Sequence, residues 1–191
     1  MEDLTRLCAD TFIWVGSCGA IQPEMNISEL VITTGGLRQE GTSKEYIRET
    51  CPARADYEAV CALVAAAERV VYDYHTGVTM STDSFYTRQG RPGFEGFETA
   101  GSNELIEQLQ AINVANIEME ASALLTIASI YGLRAGAVCS VYGNRATGEF
   151  WTEGEPQVAE TASLATHFLA KMDVGKQEAN LDWWHTGLTL E

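Results

Sequence analysis

Three short stretches hold the residues whose types and spacing can do chemistry. NIEMEASALL, 116–125, places Glu118 and Glu120 on either side of Met119, where a strand pattern passes into an apolar helix pattern. Positions two apart on an extended segment face the same side. The spacing therefore predicts both carboxylates in one pocket at the carboxyl end of a strand, where open α/β sheets hold their ligands. A carboxylate there accepts hydrogen bonds from sugar hydroxyls. Acids at a helix start also complement the helix dipole, and the spacing alone leaves both readings open.

TDSFYTRQGRPGF, 82–94, carries an apolar plate, Phe85, and two fork-shaped side chains two residues apart, Gln89 and Arg91. Glutamine offers a donor and an acceptor, and arginine offers donors only. Together they match a ring edge of carbonyl, N–H and carbonyl, as a pyrimidine such as uracil presents; the plainer alternative is a solvated loop. FIWVGSCGAIQP, 12–23, reads as an apolar strand entering a tight turn at Gly16–Gly19, with Ser17 and Cys18 inside it. Such a turn presents backbone N–H groups to an anion. No Lys or Arg lies between Arg6 and Arg38, and the strand's one large polar-capable residue is Trp14.

The elements that must position these residues alternate. A short helix is predicted over 2–9, strands over 11–16 and 29–34, and a loop over 35–54 with Gly35, Gly36, Gly41 and Pro52. Val60, Leu63, Val64, Ala67 and Val71 form a helical stripe within 55–72. A strand follows at 74–81, then a long loop over 83–101. Ser102 is expected to cap a helix over 103–112, ahead of a short strand at 114–118. Ala121, Leu124, Leu125 and Ala128 share one face of a helix over 120–131 that Gly132 ends. A strand at 134–142, a polar loop at 143–155 and a helix over 157–172 complete the pattern, leaving 173–191 as a tail. The expected fold is therefore α/β, a central mixed sheet flanked by helices, within one domain over 1–191. The two long Gly-rich loops exceed ordinary connection lengths, which marks them as functional or as packing against a partner subunit.

With 191 residues, 46% of them hydrophobic, the chain is long and apolar enough to bury a core despite a net charge of −15. That charge argues against nucleic acid, which needs clustered cations. Nine Arg against three Lys, with 27 acids, suits either a protein kept soluble in high salt or an ordinary acidic cytosolic one. Five cysteines without metal-ligand spacing fit reduced thiols in a cytoplasmic protein, and no metal is expected. No apolar run is long enough to span a membrane, and the acidic start is unlike a signal peptide. Dinucleotide, P-loop and nucleophile-elbow motifs are absent, and His75, His167 and His185 lie far apart.

VGSCGAIQP at 15–23, STDSFYTRQGR at 81–91, IEMEASALLTIASIYGLRAGAV at 117–138 and the pair Asn144–Arg145 occur in this order. In that combination the chain resembles the nucleoside phosphorylase family, most closely its uridine phosphorylases, from about Leu4 to Met172. The resemblance implies reversible phosphorolysis of uridine, or a related pyrimidine nucleoside, to uracil and ribose 1-phosphate, with phosphate as co-substrate and no cofactor. It implies that Glu120 binds the ribose hydroxyls beside Met119, with Glu118 in the same sugar-side motif. Phe85 covers sugar and base, while Gln89 and Arg91 hold the uracil edge and its departing charge. Ser17 lies between phosphate and sugar, Cys18 and Gly19 line the base side, and Arg145 belongs to a loop at the pocket mouth. Purine-specific members carry an aspartate around 142–145, where this chain has Tyr142, Gly143, Asn144 and Arg145. The family also implies an assembly of identical copies, a dimer or a trimer of dimers.

The sequence departs from the family at two places. The family's first strands, its Gly-rich phosphate loop and residues that reach a neighbouring subunit have no counterpart here, and Trp14 stands where the family has a phosphate-gripping arginine. A dianion held only by Ser17 and backbone N–H groups competes poorly with water. The expectation is little phosphorolytic activity from this chain alone, with exposed sheet edges and apolar surface that leave it poorly soluble alone or tightly paired with itself or with a full-length relative. The alternatives are a non-catalytic nucleoside binder or structural subunit, and a truncated product without activity.

Overall fold

The computed structural model describes residues 1–188; Thr189–Glu191, the end of the predicted tail, lie outside the described residues. The elements run α1 Glu2–Arg6, β1 Thr11–Ala20, β2 Leu30–Gln39, α2 Thr42–Tyr46, β3 Ala53–Arg54, α3 Tyr57–Val70 and β4 Tyr74–Thr82, followed by α4 Ser102–Ala111, β5 Val114–Glu118, α5 Ala121–Tyr131, β6 Arg134–Asn144 and α6 Glu155–Ala179. Two single 3₁₀ turns, Thr87–Gln89 and Phe94–Gly96, punctuate the long loop after β4.

The six strands form one mixed sheet in the order β3-β2-β4-β5-β1-β6. β1 runs parallel to β6 and antiparallel to β5, while β4 lies parallel to both β2 and β5. The start of β2 also pairs antiparallel with β6, Leu30 opposite Ser140 and Ile32 opposite Val138, which curls the sheet back on itself. β5 is buried at all five positions, as a central strand covered on both faces must be.

Helices cover the sheet where their apolar stripes demand it. Asp56 caps α3 by accepting from the N–H groups of Glu58 at 2.9 Å and Ala59 at 3.3 Å. The small buried residues Ala62, Ala66 and Ala67 let α3 lie close to α6, whose Ala165, Phe168, Leu169 and Met172 share the main core with Leu30, Ile32 and Val138. Gly132, at φ 66°, ends α5 in the left-handed region, as its position after the apolar stripe predicts.

Four expectations need correction. Residues 16–19 do not turn: β1 continues through them to Ala20, because β6 alongside satisfies its backbone, and the one irregularity is a register shift between Cys18 and Gly19. Residues 35–54 are not all loop, since β2 runs to Gln39 against β4, and α2 and β3 follow. Ser102 is not a cap: it is the first residue of α4, Gly101 holds the cap position, and no side chain bonds there. α6 continues past 172 to Ala179, so the tail is shorter than its lack of periodicity suggests.

Candidate functional site

The carboxyl ends of β5 and β6, the second half of β1 and the loop after β4 meet at one cavity of about 390 Å³. β1 lines it with Trp14, Ser17, Cys18 and Gly19. The end of β5 and the start of α5 add Glu118, Met119 and Glu120. The loop after β4 folds over with Phe85, Gln89 and Arg91. The nine residues singled out in three separate stretches thus share this cavity, and Trp14 joins them. Sequence reasoning missed Phe150. An isolated bridge to Gly143 brings that residue in from the polar loop, and no motif marks it.

The two glutamates do different work. Glu118 is buried and turned onto the start of α5: it accepts from the backbone N–H of Glu120 at 2.8 Å and of Ala121 at 2.7 Å, and from the Ser81 hydroxyl. Glu120 is exposed to the cavity. Burial raises the pKa of Glu118 against the pull of those hydrogen bonds. Burial also raises Glu120, and the negative charge of Glu118 adds to it. The cap geometry at Glu118 is thus the dipole-complementing arrangement, while Glu120 keeps its carboxylate free to face a ligand.

On the loop after β4, the Arg91 guanidinium stacks over Phe85, 4.4 Å from the ring centroid, and its buried Nε has no protein partner. Gln89 is buried on the same turn. Arg145 lines a smaller cavity that adjoins Arg91. Its guanidinium donates to the Gly90 carbonyl at 2.9 Å, and its Nε is likewise buried without a partner. Burial lowers the pKa of both arginines, and the charge of Arg91 lowers Arg145 further. Two buried guanidinium N–H groups without protein acceptors call for an acceptor from a ligand or water.

Trp14 packs against the small core of Cys18, Val31 and Cys139 and lays its indole over Gly16, where a Cβ would sit 3.2 Å from the indole nitrogen. Cys139 is fully buried, and the neighbouring Cys18 thiol followed by burial pushes its own thiol well up. Among the described residues Arg91 is the one Lys or Arg lining the cavity. A wider groove of about 910 Å³, between α3, α6 and β6, holds Glu58, Arg134, Asp173 and Lys176, but these charges are bonded to one another. Among the described residues no group of three or more His, Cys, Asp or Glu can hold a metal, and no helix is long and apolar enough to cross a membrane.

The family model of the phosphorylase superfamily matches residues 2–172. Among curated relatives, a uridine phosphorylase of Thermococcus kodakarensis is 49% identical over 98% of this chain and 68% of its own length. A uridine phosphorylase of Escherichia coli is 39% identical over 91% of this chain and 67% of its own length. A guanosine phosphorylase of Halorubrum lacusprofundi is 38% identical over 78% of this chain and 56% of its own length. The chain thus spans between about half and two thirds of the length of these relatives.

Proposed function

The chain belongs to the phosphorylase superfamily, and from that premise we propose that it acts on uridine or a related pyrimidine nucleoside in phosphorolysis of the uridine phosphorylase type. Phosphate attacks the ribose C1′, the bond from C1′ to the base breaks, and the base leaves with the bonding electrons. What supports this most is the convergence of Glu120, Gln89, Arg91, Phe85 and Ser17, from three distant stretches, on one cavity of nucleoside size.

In this reading Glu120 accepts hydrogen bonds from the ribose hydroxyls, with Met119 beside it. Gln89 and Arg91 hold the base edge, and Arg91 stabilises the charge that grows there as the base departs. Phe85 covers the base and carries the Arg91 guanidinium on its face. Ser17 meets phosphate and sugar on β1, and Cys18 and Gly19 form the floor below the base. Glu118 acts through the backbone it caps. Phosphate is the co-substrate, no cofactor takes part, and Trp14 leaves phosphate weakly held. The same reading carries a single domain that assembles with further copies of itself, in the cytoplasm, where its free cysteines stay reduced.

The named relatives favour an enzyme over a non-catalytic binder, while the guanosine phosphorylase of H. lacusprofundi keeps a purine nucleoside as the second substrate to try. The test is an assay of base release from uridine and, in parallel, guanosine, each with phosphate. The expected result is phosphate-dependent uracil release that exceeds guanine release. Guanine release in excess would overturn the pyrimidine assignment, and no release from either would overturn the enzyme reading.

A further inference from the structure

The helix that begins beside Glu120 does not start on its own. The first backbone N–H groups of a helix have no partner within it, and no side chain at the cap position of α5 supplies one. Glu118 takes the N–H groups of Glu120 and Ala121, and the Ser81 hydroxyl oxygen accepts from Ser122 N at 2.8 Å. Ser81 closes this set by donating to Glu118. The ends of β4 and β5 therefore hold the entry to α5.

A third strand reaches the same turn. Glu40, the residue after β2, is 1% exposed. It accepts from the Ser122 hydroxyl at 3.0 Å, from Ser43 N at 2.8 Å and from the Ser43 hydroxyl. Ser43 in turn accepts from Arg38 Nε at 2.8 Å, and Arg38 donates on to the carbonyls of Ser43, Ile47, Arg48 and Cys51 at 2.7–2.9 Å. Burial alone would raise Glu40; the bonds from Ser43 and Ser122 and the charge of Arg38 hold it below the ordinary carboxylate value. Contact here is close: a Cβ on Gly36 would lie 2.8 Å from the Ser122 Cβ, so only glycine at that point of β2 lets the first turn of α5 sit down.

We propose that Glu40 is a positioning residue for the nucleoside pocket: through Ser122 it fixes the first turn of α5, and with it the backbone of Met119 and the placement of Glu120. The carboxylate touches no ligand. It acts from behind the turn, and Arg38 fixes it in place. This inference rests on the proposed function only for the word nucleoside; the mechanical claim concerns the turn itself.

The test compares Ser122→Ala, which removes the link and leaves Glu40 with Ser43, with Glu40→Ala, which removes its source. Glu40→Gln, which still offers an oxygen to Ser122, is the conservative control. Amide hydrogen exchange is followed at Glu120, Ala121 and Ser122, and uridine affinity is measured by calorimetry. Exchange at these amides is expected to quicken about 10-fold in Ser122→Ala, with β1 and β6 amides unchanged. Uridine affinity is expected to fall about 10-fold, with Glu40→Gln close to the parent in both readouts. If Glu40→Ala does not fold, Ser122→Ala and Glu40→Gln decide the matter alone. Unchanged exchange in Ser122→Ala overturns the proposal, as does an unchanged uridine affinity alongside quickened exchange. A parent chain that binds no uridine while its amides quicken in Ser122→Ala overturns the proposed function and leaves the anchoring of the turn standing.

Discussion

The Arg91 guanidinium lies flat against Phe85, its central carbon 4.4 Å from the ring centroid. The ring limits where the fork of donors can point, so the two residues behave as one unit on the cavity wall. Lysine keeps the charge but neither the plane nor the fork. Arg91→Lys is therefore expected to weaken uridine binding about 10-fold, near the value of one lost hydrogen bond. Calorimetry with uridine checks it, and an unchanged affinity would separate Arg91 from the base.

Glu118 and Glu120 separate stability from binding. Truncating Glu118 strands two backbone N–H groups and the Ser81 hydroxyl in a buried place. Glu118→Ala should cost about 2–3 kcal/mol, lowering Tm by about 4–12 °C for a chain of this size. Glu120 is exposed, so Glu120→Ala should leave stability within about 0.5 kcal/mol and weaken uridine at least about 10-fold, the loss of a hydrogen bond to a charged acceptor. Thermal melts and calorimetry on the two variants should give opposite patterns.

The raised pKa of Glu120 has a consequence for binding. In the proposed function the carboxylate accepts sugar hydroxyls as an anion, and a proton competes with them. Its pKa lies above the ordinary 4.5, first through burial and then through the charge of Glu118. Uridine affinity should thus hold at neutral pH and fall as pH drops through that raised value. Glu118→Gln removes the second cause, so the acid limb should move to lower pH. Calorimetry from pH 7.5 down to 4.5 checks it, and a midpoint that stays put would exclude Glu118 as its source.

Glu58 governs a separate region. Its carboxylate accepts from Lys176 Nζ at 2.7 Å and 2.9 Å, from Arg134 at 3.1 Å and from Trp184 N at 3.1 Å, while Arg134 grips both oxygens of Asp173 at 2.8 Å and 2.9 Å. Burial opposes the charge of Glu58, but these donors hold its pKa below 4.5; Arg134 first of all holds Asp173 below 3.8. Carboxylates with lowered folded pKa values contribute stability that is complete above the ordinary values and lost as pH falls through the lowered ones. The share of Tm that Glu58 and Asp173 supply should be complete above about pH 5 and drop below about pH 4. Glu58→Ala should cost about 3 kcal/mol at pH 7, flatten that drop, and free the segment around Trp184. Melts across pH check the first two, and tryptophan fluorescence checks the third.

Local pattern made much of this legible. The stripes of α3 and α5, the buried run of β5 and the glycine after Tyr131 all speak through periods of a few residues. The cavity's lining was readable too, because Glu118–Met119–Glu120 and Gln89–Arg91 sit in short spans. What escaped depends on partners far along the chain. β1 passes straight through Gly16–Gly19 because β6, more than a hundred residues later, supplies its hydrogen bonds. Residues 37–39 stay extended for the same reason, with β4 as partner. Phe150 enters the cavity through a single bridge, and Glu40 reaches Ser122 across 82 residues. No spacing rule links such pairs.

Trp14 is where sequence and geometry bear most directly on activity. Its indole covers Gly16 on the cavity wall, and among the described residues Arg91, stacked on Phe85, is the one cation lining that cavity. A phosphate dianion near Ser17 then relies on neutral donors. Charge-assisted hydrogen bonds are about twice as strong as neutral ones, and a guanidinium at position 14 can lay its stem where the indole now lies. Trp14→Arg should therefore tighten phosphate about 10-fold, or about 1.4 kcal/mol, at a stability cost of about 1–2 kcal/mol from the lost packing. The expected kinetic signature is a lower KM for phosphate with the KM for uridine little changed, because the residues proposed to hold the nucleoside are unaltered. Phosphate titrations of parent and variant at fixed uridine measure it. A variant whose uridine KM moves instead would place the indole against the nucleoside rather than the phosphate.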